Sequence, residues 1–185
     1  MSERSIEVEY RAMMSEEKYH ALITFLNTNA KDLGEDDKSI HFFILPDKLL
    51  KVTDNISQGT AKITLKLNRI GNGAMFEEIE IPIARGDVPK ASQMFEALGF
   101  DNLTEPIVRR HNYVYKEVEL AVKYSKTWGY HAELEIMIGD PGEQAAAEAK
   151  IRAVSSELGL TLMTEPELAA FVKEVEDANK KSKEK

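Results

Sequence analysis

Alternation of polar and apolar residues is the clearest pattern along this chain, and it first appears in SIEVEYRA, residues 5–12. Successive side chains of a β-strand point to opposite faces, so Glu7, Glu9 and Arg11 would share one face. Similar β-rich segments recur along the chain. They predict eight strands at residues 6–12, 40–45, 48–54, 61–68, 76–83, 107–115, 117–124 and 130–138. Turn-forming residues separate most of them, but the joint between the sixth and seventh has neither Gly nor Pro.

Four other segments have the apolar spacing of amphipathic helices. Residues that can cap a helix begin them: Ser15, Asp87, Asp140 and Thr164. Because the strands come in consecutive runs, the order predicts an α+β fold whose antiparallel sheet is covered by helices on its apolar side. No domain boundary is evident, so we predict one domain over residues 1–178 and a disordered charged tail at 179–185.

Composition narrows the expected location and partners of the protein. The 185 residues include no cysteine, 32 acidic and 24 basic residues, for a formal net charge of -8. Neither a secretory signal nor an apolar run long enough to span a bilayer is present, so we expect a cytoplasmic protein with no membrane partner. The negative charge does not favour a nucleic-acid partner. The sequence leaves a monomer and a homodimer equally open.

Pairs of glutamates on the polar faces of three predicted strands suggest a functional site. The pairs are Glu7 with Glu9, Glu78 with Glu80, and Glu133 with Glu135. Each pair would lie within about 7 Å on one face, where like charges repel. Basic residues in or beside the strands could offset that repulsion: Lys51, Lys62, Lys66, Arg69, Arg109, Arg110 and Lys123. One such pair alone is more often a solvated strand face, but three pairs with this basic set favour a shared interior.

A sheet of eight antiparallel strands can curl until its charged face lines a tunnel, with the helices packed outside. Carboxylates suit a hard metal ion such as Mg²⁺, and basic side chains suit phosphate oxygens. The sequence therefore predicts a site for a metal-bound polyphosphate.

Several of these segments resemble motifs of the CYTH superfamily, the triphosphate tunnel metalloenzymes. EVEYR at residues 7–11 is similar to the family's E-x-E-x-K strand, with Arg11 in the Lys position. ITLKLNR, EEIEI, VRRHNY and WGYHAELEI are similar to its later basic and acidic strands, in the same order. The similarity extends over about residues 5–160.

The resemblance implies an eight-stranded antiparallel β barrel that binds Mg²⁺ or Mn²⁺. The implied metal ligands are Glu7, Glu9, Glu80, Glu133 and Glu135, with the last two as the strongest candidates. Catalytic roles are implied for Glu9, Glu78 and Arg11. Substrate binding is implied for Lys51, Lys62, Lys66, Arg69, Arg109, Arg110 and Lys123.

Function is expected to follow from the same resemblance: metal-dependent hydrolysis of inorganic tripolyphosphate, thiamine triphosphate or a nucleoside triphosphate. The alternatives are a class IV adenylyl cyclase, which makes cyclic AMP and pyrophosphate from ATP, a non-catalytic polyphosphate- or nucleotide-binding module, and a domain whose charged face meets water. Thr53 and Lys123 depart from the family pattern. So does Arg11, which can hold a phosphate but cannot act as a base.

Overall fold

The computed structural model describes residues 6–68 and 73–183, which contain nine strands and four α-helices. The strands are β1 (Ile6–Met13), β2 (Lys31–Glu35), β3 (Lys38–Ile44), β4 (Leu49–Asn55), β5 (Thr60–Lys66), β6 (Met75–Ile83), β7 (Asp101–Tyr115), β8 (Val118–Ser125) and β9 (Gly129–Ile138). The helices are α1 (Glu16–Asn29), α2 (Val88–Ala97), α3 (Gln144–Glu157) and α4 (Glu165–Lys183). No helix in this described part is long and apolar enough to cross a membrane.

Eight of the strands form a closed antiparallel barrel in the order β7-β3-β4-β5-β6-β1-β9-β8. The long strand β7 closes it, because its first half pairs with β3 and its second half with β8. Strand β2 pairs only with β7 and stands outside the ring. The predicted eight-stranded barrel with outer helices is therefore confirmed.

Apolar cores lie on the outer surface of the barrel. Helices α1 and α3 pack against β1, β7, β8 and β9 through side chains such as Leu26, Leu134 and Ile151, all fully buried. Helix α2 packs against β3 and β4 around Phe43. Since the apolar face of each strand points outward to the helices, the alternate polar face points into the barrel.

Three features of the strands differ from the sequence prediction. Strand β2, Lys31–Glu35, was not predicted. Strand β7 begins at Asp101 rather than at residue 107, with a register shift near Pro106, where a residue without an N–H fits a bulge. The joint between β7 and β8 turns at Lys116 and Glu117, both with positive φ. Neither residue is typical of such a turn, which explains why its sequence signal was weak.

Helix α4 begins with the predicted cap, since the Thr164 backbone N–H donates to the Glu167 carboxylate at 2.8 Å. It then lies against the barrel, where Phe171 contacts Trp128 and Asn179 donates to the Asn102 carbonyl at 3.2 Å. The helix continues to Lys183, although a disordered tail was predicted from residue 179. The domain division at residue 178 stays a prediction.

Replacement of Ile151 by alanine tests the outer core. Ile151 is fully buried where α3 meets the barrel, so Ile151→Ala should lower the free energy of unfolding by about 2–5 kcal/mol. Urea unfolding measures the change. Ser156→Ala, at an exposed position of the same helix, is the control and should change stability by less than about 0.5 kcal/mol. Equal effects of the two variants would contradict this account of the core.

Candidate functional site

The barrel encloses a cavity of about 450 Å³ lined by charged side chains from most of its strands. Nearly all of the predicted site residues that are described contribute to it: Glu7, Glu9, Arg11, Lys51, Lys62, Lys66, Glu78, Glu80, Arg110, Lys123, Glu133 and Glu135. Arg109 is exposed instead, because it alternates with Arg110 and points away from the tunnel. Arg69 lies outside the described residues.

Three carboxylates meet on neighbouring strands. Glu7 and Glu9 on β1 and Glu135 on β9 each offer an oxygen within 4.8 Å of the others. Glu9 and Glu135 are direct cross-strand partners. Burial raises the pKa of Glu135 to about 9, and the charges of Glu7 and Glu9 add to this effect. Oxygen ligands this close, with charges that repel one another, suit a divalent cation such as Mg²⁺ or Mn²⁺.

Lys66 is the main counter-ion on the other side of this cluster. Its ammonium lies 2.6 Å from Glu7, 3.2 Å from Glu9 and 2.8 Å from Glu78. Burial acts to lower its pKa, but the three carboxylates outweigh burial and raise it. The raised pKa favours the charged form of Lys66, which ties β5, β6 and β1 together through its contacts with Glu78, Glu7 and Glu9.

Glu133 sits in the opposite setting, among three basic side chains. Arg11 Nε donates to it at 3.1 Å, Lys123 Nζ lies at 2.9 Å and Arg110 at 3.5 Å. Burial acts to raise the pKa of Glu133, but these cations outweigh it and hold the pKa well below its ordinary value. Arg11 also contacts Glu9 and stacks on Trp128. Glu133 thus lies among cations and apart from the cluster of Glu7, Glu9 and Glu135, and its role as a metal ligand stays a prediction.

Lys51 is the exception among the cations, since it makes no ion pair with any described residue. It points into the cavity from β4 between Lys66, Glu78, Glu7 and Glu9. Burial, together with Lys66, lowers its pKa to about 8. A buried amine that makes no direct ion pair and faces an enclosed space is suited to bind an anion.

The remaining predicted residues lie at the margin of the cavity. Lys62 pairs with Glu80 at 2.5 Å, and both side chains are about 41% exposed. This exposure places Glu80 apart from the cluster of Glu7, Glu9 and Glu135. The pair can contact a ligand that extends toward solvent, but its charges are already neutralised.

Sequence reasoning missed several residues of the lining. Lys38 lines the cavity and pairs with Asp36 at 2.7 Å. It was missed because the predicted strand began only at residue 40. Glu105 was missed because the first half of β7 was not recognised. Trp128 was missed because its surrounding sequence indicated only a turn. In the structure the Arg11 guanidinium lies over its ring, a contact that no sequence pattern predicts. Buried His131 also faces the cavity, where burial lowers its pKa to about 4 and keeps it neutral.

A family model, that of the CYTH domain, matches residues 5–165 of the chain. The chain belongs to the CYTH family. The resemblance seen in the sequence is thereby confirmed. Members of this family are triphosphatases or adenylyl cyclases, and its enzymes are metal-dependent. No match was found among curated protein sequences.

Solved structures show the same fold. A conserved hypothetical protein from Pyrococcus furiosus is 26% identical, with a TM-score of 0.71, covering 85% of this chain and 94% of its own. A candidate adenylate cyclase from Vibrio parahaemolyticus is 16% identical, with a TM-score of 0.64 and coverage of 86% and 93%. A Hippeastrum protein, described as a candidate adenylyl cyclase with a dominant triphosphatase activity, is 16% identical, with a TM-score of 0.55 and coverage of 85% and 89%.

A matched pair of substitutions on β9 tests the different settings of two glutamates. Glu133→Gln leaves three buried cations short of a counter-ion, so it should lower the free energy of unfolding at neutral pH by about 3–5 kcal/mol. Glu135→Gln should cost much less, since the raised pKa of Glu135 already favours its neutral form. Urea unfolding of both variants measures this contrast.

The pH dependence of that contrast follows from the sign of the Glu133 shift. A carboxyl whose pKa is lowered by folding stabilises the protein above its unfolded pKa and loses this contribution in acid. The difference between wild type and Glu133→Gln should therefore shrink as the pH falls well below about 4. A larger loss for Glu135→Gln than for Glu133→Gln would show that the roles are reversed.

Proposed function

We propose that this CYTH protein is a metal-dependent triphosphatase that holds its substrate in the charged tunnel. The observation that carries the proposal is the juxtaposition of the Glu7, Glu9 and Glu135 cluster with an unpaired cation, Lys51, inside one cavity. The cluster has the ligand chemistry for a hard metal ion, and the cation has the chemistry for phosphate oxygens. Neither feature would be useful on a solvated strand face.

The metal site fits the residues present. Three buried or half-buried carboxylates converge, and their mutual repulsion is relieved when a cation binds between them. Glu7, Glu9 and Glu135 would hold Mg²⁺ or Mn²⁺. When bound, the ion would polarise phosphate oxygens and offset their charge.

The side chains of the tunnel then have separate tasks. Lys51 binds the phosphate chain, assisted by Lys123 and Arg110, which reach the cavity from the other side. Charge that develops on the transferring phosphate is stabilised by these fixed cations. Glu78, held by Lys66 at 2.8 Å, would orient the attacking water. Arg11 positions Glu9 and Glu133 and cannot act as a base.

Turnover of three substrates tests the proposed activity. The purified protein is incubated with tripolyphosphate, thiamine triphosphate or ATP, with Mg²⁺, Mn²⁺ or EDTA, and phosphate, pyrophosphate and cyclic AMP are followed. Phosphate release that requires the metal is expected. Cyclic AMP with pyrophosphate would identify a cyclase, and tight binding without turnover would identify a binding module.

Substitution of a cluster carboxylate tests the metal site. Glu135→Gln should weaken Mn²⁺ binding, measured by calorimetry, by about 100-fold or more. Loss of even an outer-shell partner of a metal ligand lowers metal affinity by about 10- to 100-fold. Phosphate release should fall in parallel at subsaturating metal. Glu174→Gln, at an exposed position of α4, is the control. Unchanged metal affinity in Glu135→Gln would exclude this carboxylate as a ligand.

Lys51 generates a prediction about pH. Lys51→Met should weaken binding of metal-free tripolyphosphate by about 10- to 100-fold, the value of one charge-assisted hydrogen bond. Only the protonated amine binds an anion, so the ratio of wild-type to variant affinity should shrink as the pH rises above about 8. Calorimetry across that range measures the ratio, with exposed Lys90→Met as the control. A ratio that does not change with pH would contradict the lowered pKa.

A further inference from the structure

The lining of the tunnel changes from charged to apolar along neighbouring strands. On β3 the side chains that face the cavity are Lys38, then Ile40, Phe42 and Ile44. On β4 the lining continues with Leu49, the cross-strand partner of Ile44. A phosphate chain carries no apolar surface, so these side chains have no part in binding it.

A buried carboxylate lies within this apolar wall. Glu105 on β7 is the cross-strand partner of Ile40, and its neighbour on the same face, Leu103, is the partner of Phe42. Glu105 is only 1% exposed, yet neither of its carboxylate oxygens has a hydrogen-bond partner of good geometry among the described residues. The hydroxyls of Ser125 and Thr127 and the backbone N–H of Thr127 lie near enough to act on its pKa, but burial outweighs them and raises it. A buried carboxyl without satisfied oxygens is costly, which suggests a ligand that completes its hydrogen bonds.

Packing of α4 accounts for only part of this wall. Val172 and Val175 face the same cavity from the helix, so apolar residues opposite them help to hold it. Helix packing does not call for a carboxylate, however, and a cavity of about 450 Å³ remains, which is the size of a small-molecule site. The unsatisfied Glu105 and the open volume together point to a bound group.

We propose that Ile40, Phe42, Leu103 and Glu105 form an organic-group pocket, which binds an apolar or flat part of the substrate that donates a hydrogen bond to Glu105. The inference rests on the proposed triphosphatase function and narrows its substrate class. It selects an organic triphosphate, in which such a group is joined to the phosphate chain, over inorganic tripolyphosphate.

The arrangement of β3 and β4 links this pocket to the phosphate site. Phe42 and Lys51 are cross-strand partners, and both line the cavity. A phosphate bound by Lys51 therefore lies beside Phe42, and an attached organic group continues along the wall toward Leu103.

A comparison of ligands tests the pocket. Dissociation constants for tripolyphosphate, thiamine triphosphate and the four common nucleoside triphosphates are measured by calorimetry with Mg²⁺, and kcat/KM is measured for each ligand that turns over. At least one organic triphosphate should bind about tenfold more tightly than tripolyphosphate. Glu105→Gln should weaken the binding of that ligand about tenfold, because the amide has one neutral acceptor oxygen where the carboxylate has two charged ones, and should change the affinity for tripolyphosphate less than twofold.

Two further variants make the result decisive. Glu35→Gln removes an exposed carboxylate on β2, outside the barrel, and should not change the affinity for any of the ligands. If Glu105→Gln does not fold, Leu103→Asn alters the same wall at a half-buried position and should show the same selective loss. Tightest binding of tripolyphosphate, or an equal loss for all ligands, would overturn the inference.

Failure of the inference and failure of the proposed function are separable. If tripolyphosphate is the best substrate, the triphosphatase proposal stands and the organic-group pocket is wrong. If no ligand gives a metal-dependent product, the proposed activity is wrong, and the binding comparison still decides whether the pocket recognises an organic group.

Discussion

Neutralisation of opposite charges inside a closed barrel is the constraint on which this structure depends. Carboxylates and basic side chains line the tunnel in nearly equal numbers, and most are too enclosed to rely on water for their solvation. Two hubs provide the balance: Lys66 among three carboxylates, and Glu133 among three basic groups. Buried charges are tolerated only when paired in this way. The apolar cores consequently lie outside, beneath the helices.

The balance is not uniform along the tunnel, and the imbalance is where chemistry becomes possible. Glu7, Glu9 and Glu135 converge so closely that Glu135 is pushed toward its neutral form, whereas Lys51 makes no ion pair with any described residue. A metal ion with a phosphate chain would correct both. Glu105 also lacks hydrogen-bond partners of good geometry among the described residues. Because its surroundings are apolar, a neutral hydrogen-bond donor would suit it better than another ion. The carboxylate cluster, Lys51 and Glu105 together would suit a ligand with a charged part and an organic part.

Much of the fold was predictable because its signals are local. The alternation in each strand placed eight barrel strands within a few residues of their positions, except for the start of β7. The caps of the helices were equally local, as Asp140 and Thr164 show. Strand β2 escaped prediction because KDLGE at residues 31–35 has no strong alternation and depends on pairing with β7. The polar faces identified most of the tunnel's charged residues but not Lys38 or Glu105, and Arg109 lies on the outer face.

The sequence by itself determined the kind of site, because alternation decides which side chains share a face of a strand. It could not determine which charges meet, since that depends on which strands are neighbours and in what register. Pairing of β1 with β9 sets Glu9 opposite Glu135 but sets Arg11 opposite Glu133. Two glutamates separated by one residue thus acquire opposite surroundings, one beside carboxylates and one beside cations. Only the tertiary structure decided this, because cross-strand distances are fixed by the closure of the barrel rather than by any local pattern.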